Sequence, residues 1–343
     1  MTISFVTCNN QDIWQKKVAK FEAYSFMQGK DFWEYATLRG YQTQAIILQE
    51  NGKTRSLCLA YIVRAKRGTY LAISHGPLFQ KNQFDARLFE AWNGYWTTFA
   101  RKNGCHFIRI SPPWDKLILS KITGFIPSPI HLHAEQTSII NLTKSDQELL
   151  ANMRKNTRNS IRKSLNLEKE GVFTVALAYN LTEEMYKIYQ STTSRGKFTG
   201  VNKKTIENEI QAFGRDDLVR IITVSTQGVM ISWGMFIVSG NRAYYRHGAN
   251  RLSSEYRNLP SPYLVYWKAF QEARKMGAVS YDLWGVSPKS AINHPWKNIS
   301  LYKSGFEGEY RELAHAIDKP LSVLYWATRF YDGYQARSRG FHY

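Results

Sequence analysis

The chain has 343 residues, 43% of them hydrophobic and 14% aromatic, which excludes a disordered or fibrous polymer and leaves room for two domains with substantial cores. Lys and Arg number 46 against 27 Asp and Glu, a formal net charge of +19; that surplus points to a polyanionic partner such as nucleic acid, an anionic membrane or a phosphorylated substrate. Three cysteines without metal-ligand spacing, a start without the pattern of a signal peptide, and no apolar run of about 18 residues predict a cytoplasmic protein. It could still touch the inner face of the plasma membrane at its periphery.

In chain order, Phe26-Met27-Gln28-Gly29 reads as a turn into a short aromatic helix. Gln44–Gln49 and Thr54–Val63 are predicted strands joined at Asn51-Gly52, a pair that tolerates positive φ. Thr69–His75 follows as a strand and ends at Gly76-Pro77. Phe84–Lys102 is predicted helical, with Phe84, Leu88, Ala91, Tyr95 and Phe99 near one stripe, and Cys105–Ile110 is the next strand. The second half repeats this order: strand Val219–Ser225, turn Gln227-Gly228, strands Val229–Val238 and Ala243–His247, a helix with Ser261 as N-cap, and strand Val279–Trp284. The pairs Gly52/Gly228, Gly76/Gly248 and Gly104/Gly277 are separated by 176, 172 and 173 residues. Two β-β-β-α-β units at a nearly constant offset predict a duplicated α/β (α+β) fold, each copy a mixed sheet flanked by helices.

Between the halves, Ser145 and Glu148 form a capping box that opens a helix predicted to run to Gly171. Arg154, Arg158 and Arg162 recur every four residues on it, joined by Lys155 and Lys163, a spacing that could follow a phosphate backbone or simply be a solvated face. A second helix, Thr182–Thr193, leads into Ser194-Arg195-Gly196-Lys197-Phe198. The last segment, 318–343, mixes Leu321, Leu324, Tyr325 and Phe330 with arginines and is predicted to be an amphipathic helix packed back on the first domain. The expected division is therefore 1–144, 145–317 and 318–343.

Chemistry is expected where strand Ser280–Trp284 exits through Gly285 into a loop carrying Tyr302, Lys303 and Phe306. Asp282 either caps a turn there or orients a reacting group. Tyr244 and Arg246 would share one face of their strand, Tyr245 and His247 the other. Arg101-Lys-Asn-Gly104 and Arg274-Lys-Met-Gly277 are similar to the start of a coenzyme A pyrophosphate loop, but both end helices, so their glycines read as C-caps. No cofactor motif is present.

Taken in order, F-M-Q-G at 26–29, M-R-K-N-T-R-N-S-I-R at 153–162, Ser194-Arg195, Y-Y-R-H-G-A at 244–249, Ser261-Pro262, Tyr281-Asp282 and Y-K-S-G-F at 302–306 resemble the FemABX aminoacyltransferases, in particular the compact members without a coiled-coil arm. The resemblance implies two tandem GNAT-like domains, an aminoacyl-tRNA donor, and a peptidoglycan precursor as acceptor, nucleotide-linked or lipid-linked, whose stem-peptide amine takes the aminoacyl group to form an interpeptide bridge. It implies no cofactor, no metal and a monomer. Lys303 would stand by the ester, stabilising the oxyanion or the leaving ribose oxygen, with Asp282 beside it. Arg195, one of Tyr244 and Tyr245, Tyr302 and Phe306 would contact the precursor. Arg154, Lys155, Arg158, Arg162 and Lys163 would meet tRNA. The alternatives are a transferase of the same fold with another acceptor, and a non-catalytic protein that binds RNA or a membrane surface.

Overall fold

The computed structural model describes residues 2–22, 24–66, 68–115, 118, 122–196, 200–289 and 294–341. The chain begins with β1 (Ile3–Thr7), α1 (Gln11–Val18), α2 (Lys30–Leu38), β2 (Gln42–Glu50), β3 (Lys53–Ala65), β4 (Gly68–Ser74), β5 (Leu78–Phe79), α3 (Ala86–Lys102), β6 (Phe107–Ser111) and β7 (Ile126–Pro127). It continues with β8 (Gln136–Asn141), α4 (Asp146–Asn152), α5 (Lys155–Lys169), β9 (Thr174–Ala178), α6 (Glu183–Gly196), α7 (Lys203–Gly214), β10 (Val219–Thr226), β11 (Val229–Ser239) and β12 (Arg242–Asn250). Last come α8 (Ser261–Lys275), β13 (Ser280–Asp282), α9 (Lys297–Ser304), β14 (Glu309–Glu312), β15 (Ile317–Pro320) and α10 (Leu324–Ser338).

Two compact units result, residues 1–135 with 312–343, and residues 136–311. Residues 136–144 and 312–317 thus fall on the other side of the division from where the sequence places them. The first sheet has the order β1-β2-β3-β4-β6-β15-β7, with β5 on β3, and the second the order β9-β10-β11-β12-β13-β8-β14. The two orders correspond strand for strand. In each, three antiparallel strands lead through a helix, α3 or α8, to a parallel neighbour: β4 with β6, and β12 with β13. In each, the next position is filled antiparallel by a strand from elsewhere in the chain, β15 on β6 and β8 on β13. β15 returns to the first sheet only after the whole second unit has been threaded.

Local chemistry explains most of this. The hairpin residues Asn51 (φ 50°) and Gly52 (φ 76°), and Gln227 (φ 48°) and Gly228 (φ 77°), take the left-handed conformations that tight strand connections need. The ladder of β3 and β4 stops at Ala60–Ile73. Just beyond it the buried Gln28 amide donates to Leu59 O (3.1 Å) and Ser74 O (2.7 Å) and accepts from Leu59 N (2.8 Å). The F-M-Q-G turn is thereby stitched into the sheet. On α3 the buried stripe is Leu88, Phe89, Trp92, Trp96 and Ala100, whereas Ala91, Tyr95 and Phe99 lie at its edge. The Trp92 and Trp96 rings stack with centroids 5.7 Å apart and fill the sheet face.

Three expectations are corrected. The helix expected from Ser145 to Gly171 is broken: Met153 and Arg154 are extended (ψ 155° and 145°), separating α4 from α5. Arg154 N donates to Gly305 O (3.0 Å), and the Arg158 guanidinium donates to the carbonyls of Ala151 (3.0 Å) and Met153 (3.1 Å), satisfying the end of α4. Ser261 is not an N-cap: Pro260 holds that position, and the Ser261 hydroxyl meets Ser232 Oγ at 2.7 Å. Residues 318–320 are strand, not helix. Arg109 grips Asp318 in the interior with two N–H donors (2.7 and 2.8 Å) and the part-buried Asp332 of α10 with a third (3.1 Å). The helix that follows packs on its own unit through these polar anchors, while Leu324 and Phe330 face solvent.

Candidate active site in the second unit

Strand β13 is three residues long because its backbone turns at once. Trp284 (φ 55°) and Gly285 (φ 39°) are both left-handed, a conformation that costs a tryptophan about 1–2 kcal/mol. Two side chains hold this turn from opposite ends. Asp282 Oδ1 accepts from Trp284 N (2.8 Å) and from the Thr137 hydroxyl. Lys303 Nζ donates to Trp284 O (2.5 Å) and Gly285 O (2.9 Å). Lys303 was expected on a loop; it occupies the last turn of α9, and that helix delivers its stem inward.

Lys303 is 3% exposed. Burial pulls its pKa down to about 7, against the pull of the Asp282 carboxylate. Two of its three ammonium donors are used, and the third has no acceptor among the described residues. Burial likewise raises the Asp282 carboxyl, opposed by its hydrogen bonds from Thr137 and Trp284 N. Asp282 therefore caps the turn whose carbonyls Lys303 also grips.

Aromatic rings wall the lysine. The Tyr245 ring centroid lies 5.7 Å from Nζ, and Tyr245 stacks on Tyr266 at 4.6 Å. Gly248 leaves the room that Tyr245 needs, since a Cβ there would stand 1.7 Å from its hydroxyl oxygen. Burial pushes the Tyr245 phenol up to about 12, so it is a neutral donor at physiological pH. Tyr302 packs against Tyr263, Tyr266 and Phe306 with its hydroxyl buried and without a partner among the described residues. Phe306 is core. Tyr244 meets the Trp284 ring edge-on at 6.2 Å.

The sequence pattern missed a carboxylate. A register shift between Met235 and Phe236 makes Arg246 a bulge residue of β12. The expected alternation of Tyr244 and Arg246 against Tyr245 and His247 is therefore broken. Arg246 Nε (2.5 Å) and His247 Nε2 (2.8 Å) converge instead on the two oxygens of Glu209 in α7. Burial alone would raise the Glu209 carboxyl, but Arg246 and His247 overcome it and hold it at about 2. The Arg246 guanidinium also lies 5.1 Å from the Trp284 ring centroid. No local signal marks Glu209; only the topology brings α7 to β12.

The remaining expected residues lie apart from this cluster. Arg195, at the end of α6, is exposed and donates to Asn250 O and Oδ1 (both 3.3 Å) at the far end of β12. Lys197 and Phe198 lie outside the described residues. Arg154 pairs with Glu307 (2.7 Å), and Arg158 caps α4, so neither joins a continuous ridge. Lys155, Arg162 and Lys163 are exposed on α5. Among the described residues no group of His, Cys, Asp and Glu is arranged to hold a metal ion.

Residues 202–332 match the model of the FemAB family. The lipid II:glycine glycyltransferase of Staphylococcus saprophyticus is 31% identical over 87 residues, 25% of this chain and 19% of the relative. That of Staphylococcus haemolyticus is 27% identical over 147 residues, 41% of this chain and 34% of the relative. The chain thus aligns with 19% and 34% of the length of these relatives. In structure, 96% of the chain superposes on 99% of crystalline FemX with a TM-score of 0.79 at 15% identity. A tandem GNAT protein from the clavulanic acid biosynthesis pathway covers 93% of the chain with a TM-score of 0.59 at 10% identity. The fold is accordingly that of two tandem GNAT-like units, and within it residues 202–332 are similar to the FemAB family.

Proposed function

We propose that the protein transfers an aminoacyl group from aminoacyl-tRNA to the stem-peptide amine of a peptidoglycan precursor, in the construction of an interpeptide bridge. The observation that carries this reading is the buried Lys303 ammonium with one N–H left to give. In the reaction the acceptor nitrogen attacks the ester carbonyl, a C–N bond forms, the C–O bond to the ribose breaks, and the amine's proton ends on the ribose oxygen. The ester is already activated, so the protein's task is alignment and stabilisation of the charge that develops on oxygen. Lys303 supplies a fixed positive donor in a dry, aromatic-walled setting where that charge counts for more than it would in water.

The remaining residues take supporting parts in this proposal. Asp282 fixes the Trp284–Gly285 turn on which Lys303 is held. Tyr245 and Tyr302 shield the lysine from water. Arg195 and Tyr244 are assigned to the precursor's side, Arg195 through a guanidinium fork suited to carboxylates or phosphates, whereas Phe306 packs against Tyr302 within the core. Lys155, Arg162 and Lys163 offer exposed cations to the tRNA backbone, and Arg154 and Arg158 add to that field while serving their internal contacts. The family match and the lipid II substrate of the staphylococcal relatives support a cell-wall acceptor.

The test is reconstitution. Purified protein, charged tRNA and either a nucleotide-linked or a lipid-linked precursor should yield a new amide, detected by mass spectrometry. Muropeptides from cells with and without the protein should differ by the transferred residue. No amide with either precursor, together with unchanged muropeptides, would refute the assignment.

A further inference from the structure

Helix α10 buries Tyr325, Thr328 and Ala336, the Tyr325 ring 5.2 Å from that of Phe107, and adds polar anchors to them. Its inward side is held by polar contacts: Asp332 to Arg109, the Tyr325 hydroxyl to Asp318 (3.0 Å), and Arg329 to Pro127 O (2.6 Å). Its outward side is apolar. Val323 is 82% exposed, Trp326 55%, Phe330 80% and Tyr334 62%. At 100° per residue these four fall within about 80° of arc, a continuous stripe along the helix. Arg337 falls within the same arc and is exposed. Beside the C-terminal end lies a cleft of about 270 Å³ lined by His131, Tyr331, Arg339 and Phe341. Asp332 also lines it, but that carboxylate is engaged by Arg109.

We infer that this face of α10 seats on the surface of a bilayer containing anionic phospholipid. Each part of the stripe suits that partner. Phe330 and Val323 enter the acyl boundary, whereas Trp326 and Tyr334 combine an apolar ring with a polar tip and lie at headgroup depth. Arg337, within the same arc, meets the phosphates. Charge selects a bilayer over a second copy of this chain, because two molecules of charge +19 repel and an anionic surface attracts them. RNA would satisfy Arg337 but leave Val323 and Phe330 in water. Among the described residues no helix is long and apolar enough to cross a membrane, so the contact is peripheral.

The full chain should sediment with phosphatidylcholine vesicles containing about one-third phosphatidylglycerol and hardly at all with phosphatidylcholine alone. The double variant Trp326→Ser/Phe330→Ser should weaken binding at least tenfold, the order expected for an aromatic side chain kept in water. Arg337→Gln should weaken it about fivefold. Trp326, Phe330 and Arg337 lie on the exposed arc, so melting temperatures should not move; if the serine variant does unfold, the Arg337 variant carries the test. Wild-type protein that ignores anionic vesicles, or variants that bind like wild type, overturn the inference. A wild-type dimer in gel filtration that Phe330→Ser dissolves would overturn it in favour of self-association. Vesicle binding is read without turnover, so this result stands or falls apart from the aminoacyl-transfer reading.

Discussion

Replacing Lys303 by Met separates chemistry from folding. Methionine keeps the length and bulk of the stem and removes the ammonium. The two carbonyls of Trp284 and Gly285, now at 2.5 and 2.9 Å from Nζ, lose their donors, at about 1–3 kcal/mol for each buried group left unsatisfied. Against this, the side chain is almost fully buried and no longer has to hold a charge away from water, a cost of similar size. The variant should therefore unfold in urea within about 2 kcal/mol of wild type. Turnover should respond differently. Loss of one positioned donor to a developing oxyanion costs about 10²–10³-fold, roughly 3–4 kcal/mol of transition-state stabilisation. The assay is amide formation under single-turnover conditions with saturating aminoacyl-tRNA, alongside acceptor binding, which should change little. A pH series sharpens the test. If the ammonium is the working form, the ratio of wild-type to variant rate falls as pH rises through about 7, where burial has placed this lysine. A ratio that rises through that pH would show a neutral amine acting as base. A variant within threefold of wild type at every pH would remove Lys303 from the reaction.

Three further perturbations address the surroundings. Gly248→Ala puts a methyl group onto the Tyr245 hydroxyl and should move that ring off its stack on Tyr266 and away from Lys303. Overpacking of this kind costs about 1–3 kcal/mol, and turnover should fall at least tenfold; wild-type turnover in a folded variant would leave Tyr245 without a part. Glu209→Gln removes the carboxylate shared by Arg246 and His247 and should destabilise the fold by about 3–5 kcal/mol near neutral pH. Because the folded Glu209 carboxyl lies below its ordinary value of 4.5, at about 2, its contribution is present above pH 4.5 and lost towards pH 2. The gap between wild type and variant in acid denaturation should close over that window. Asp318→Ala strands the buried Arg109 guanidinium and should cost about 3–5 kcal/mol in urea, while Arg109→Met/Asp318→Leu should recover most of it; equal losses in both variants would show that charge burial is not the cause.

Where side chains act on their own neighbours, the sequence was informative. Asn51-Gly52 and Gln227-Gly228 turn as their φ tolerance requires, Ser145 and Glu148 cap reciprocally, and Gly104 and Gly277 end helices in left-handed conformations. The duplication was legible because each copy repeats these local devices in the same order. Features decided by distant partners were not. The break at Met153–Arg154 depends on Gly305, some 150 residues on. Arg246 leaves the alternation of β12 because a one-residue bulge turns it towards Glu209. Asp318 sits in a strand because Arg109 needs a buried carboxylate, which nothing in the flanking Ile317-Asp318-Lys319-Pro320 announces. Lys303 was legible as a residue of interest, but not its burial, since a lysine near a helix end is ordinarily solvated.

The route by which β15 reaches the first sheet bears on synthesis of the chain. Residues 136–311 form a continuous stretch and have all of their sheet neighbours for β13 once Asp282 has emerged. β6, made far earlier, waits for Ile317–Pro320, and Arg109 waits with it, its counter-ion not yet translated. The ribosome thus delivers the later unit ready to fold while the earlier one still has an open edge, the reverse of the usual N-to-C order. A chain halted before residue 312 would carry an intact second unit beside a first unit with a bare strand and an unpaired interior arginine, a combination prone to edge-to-edge association.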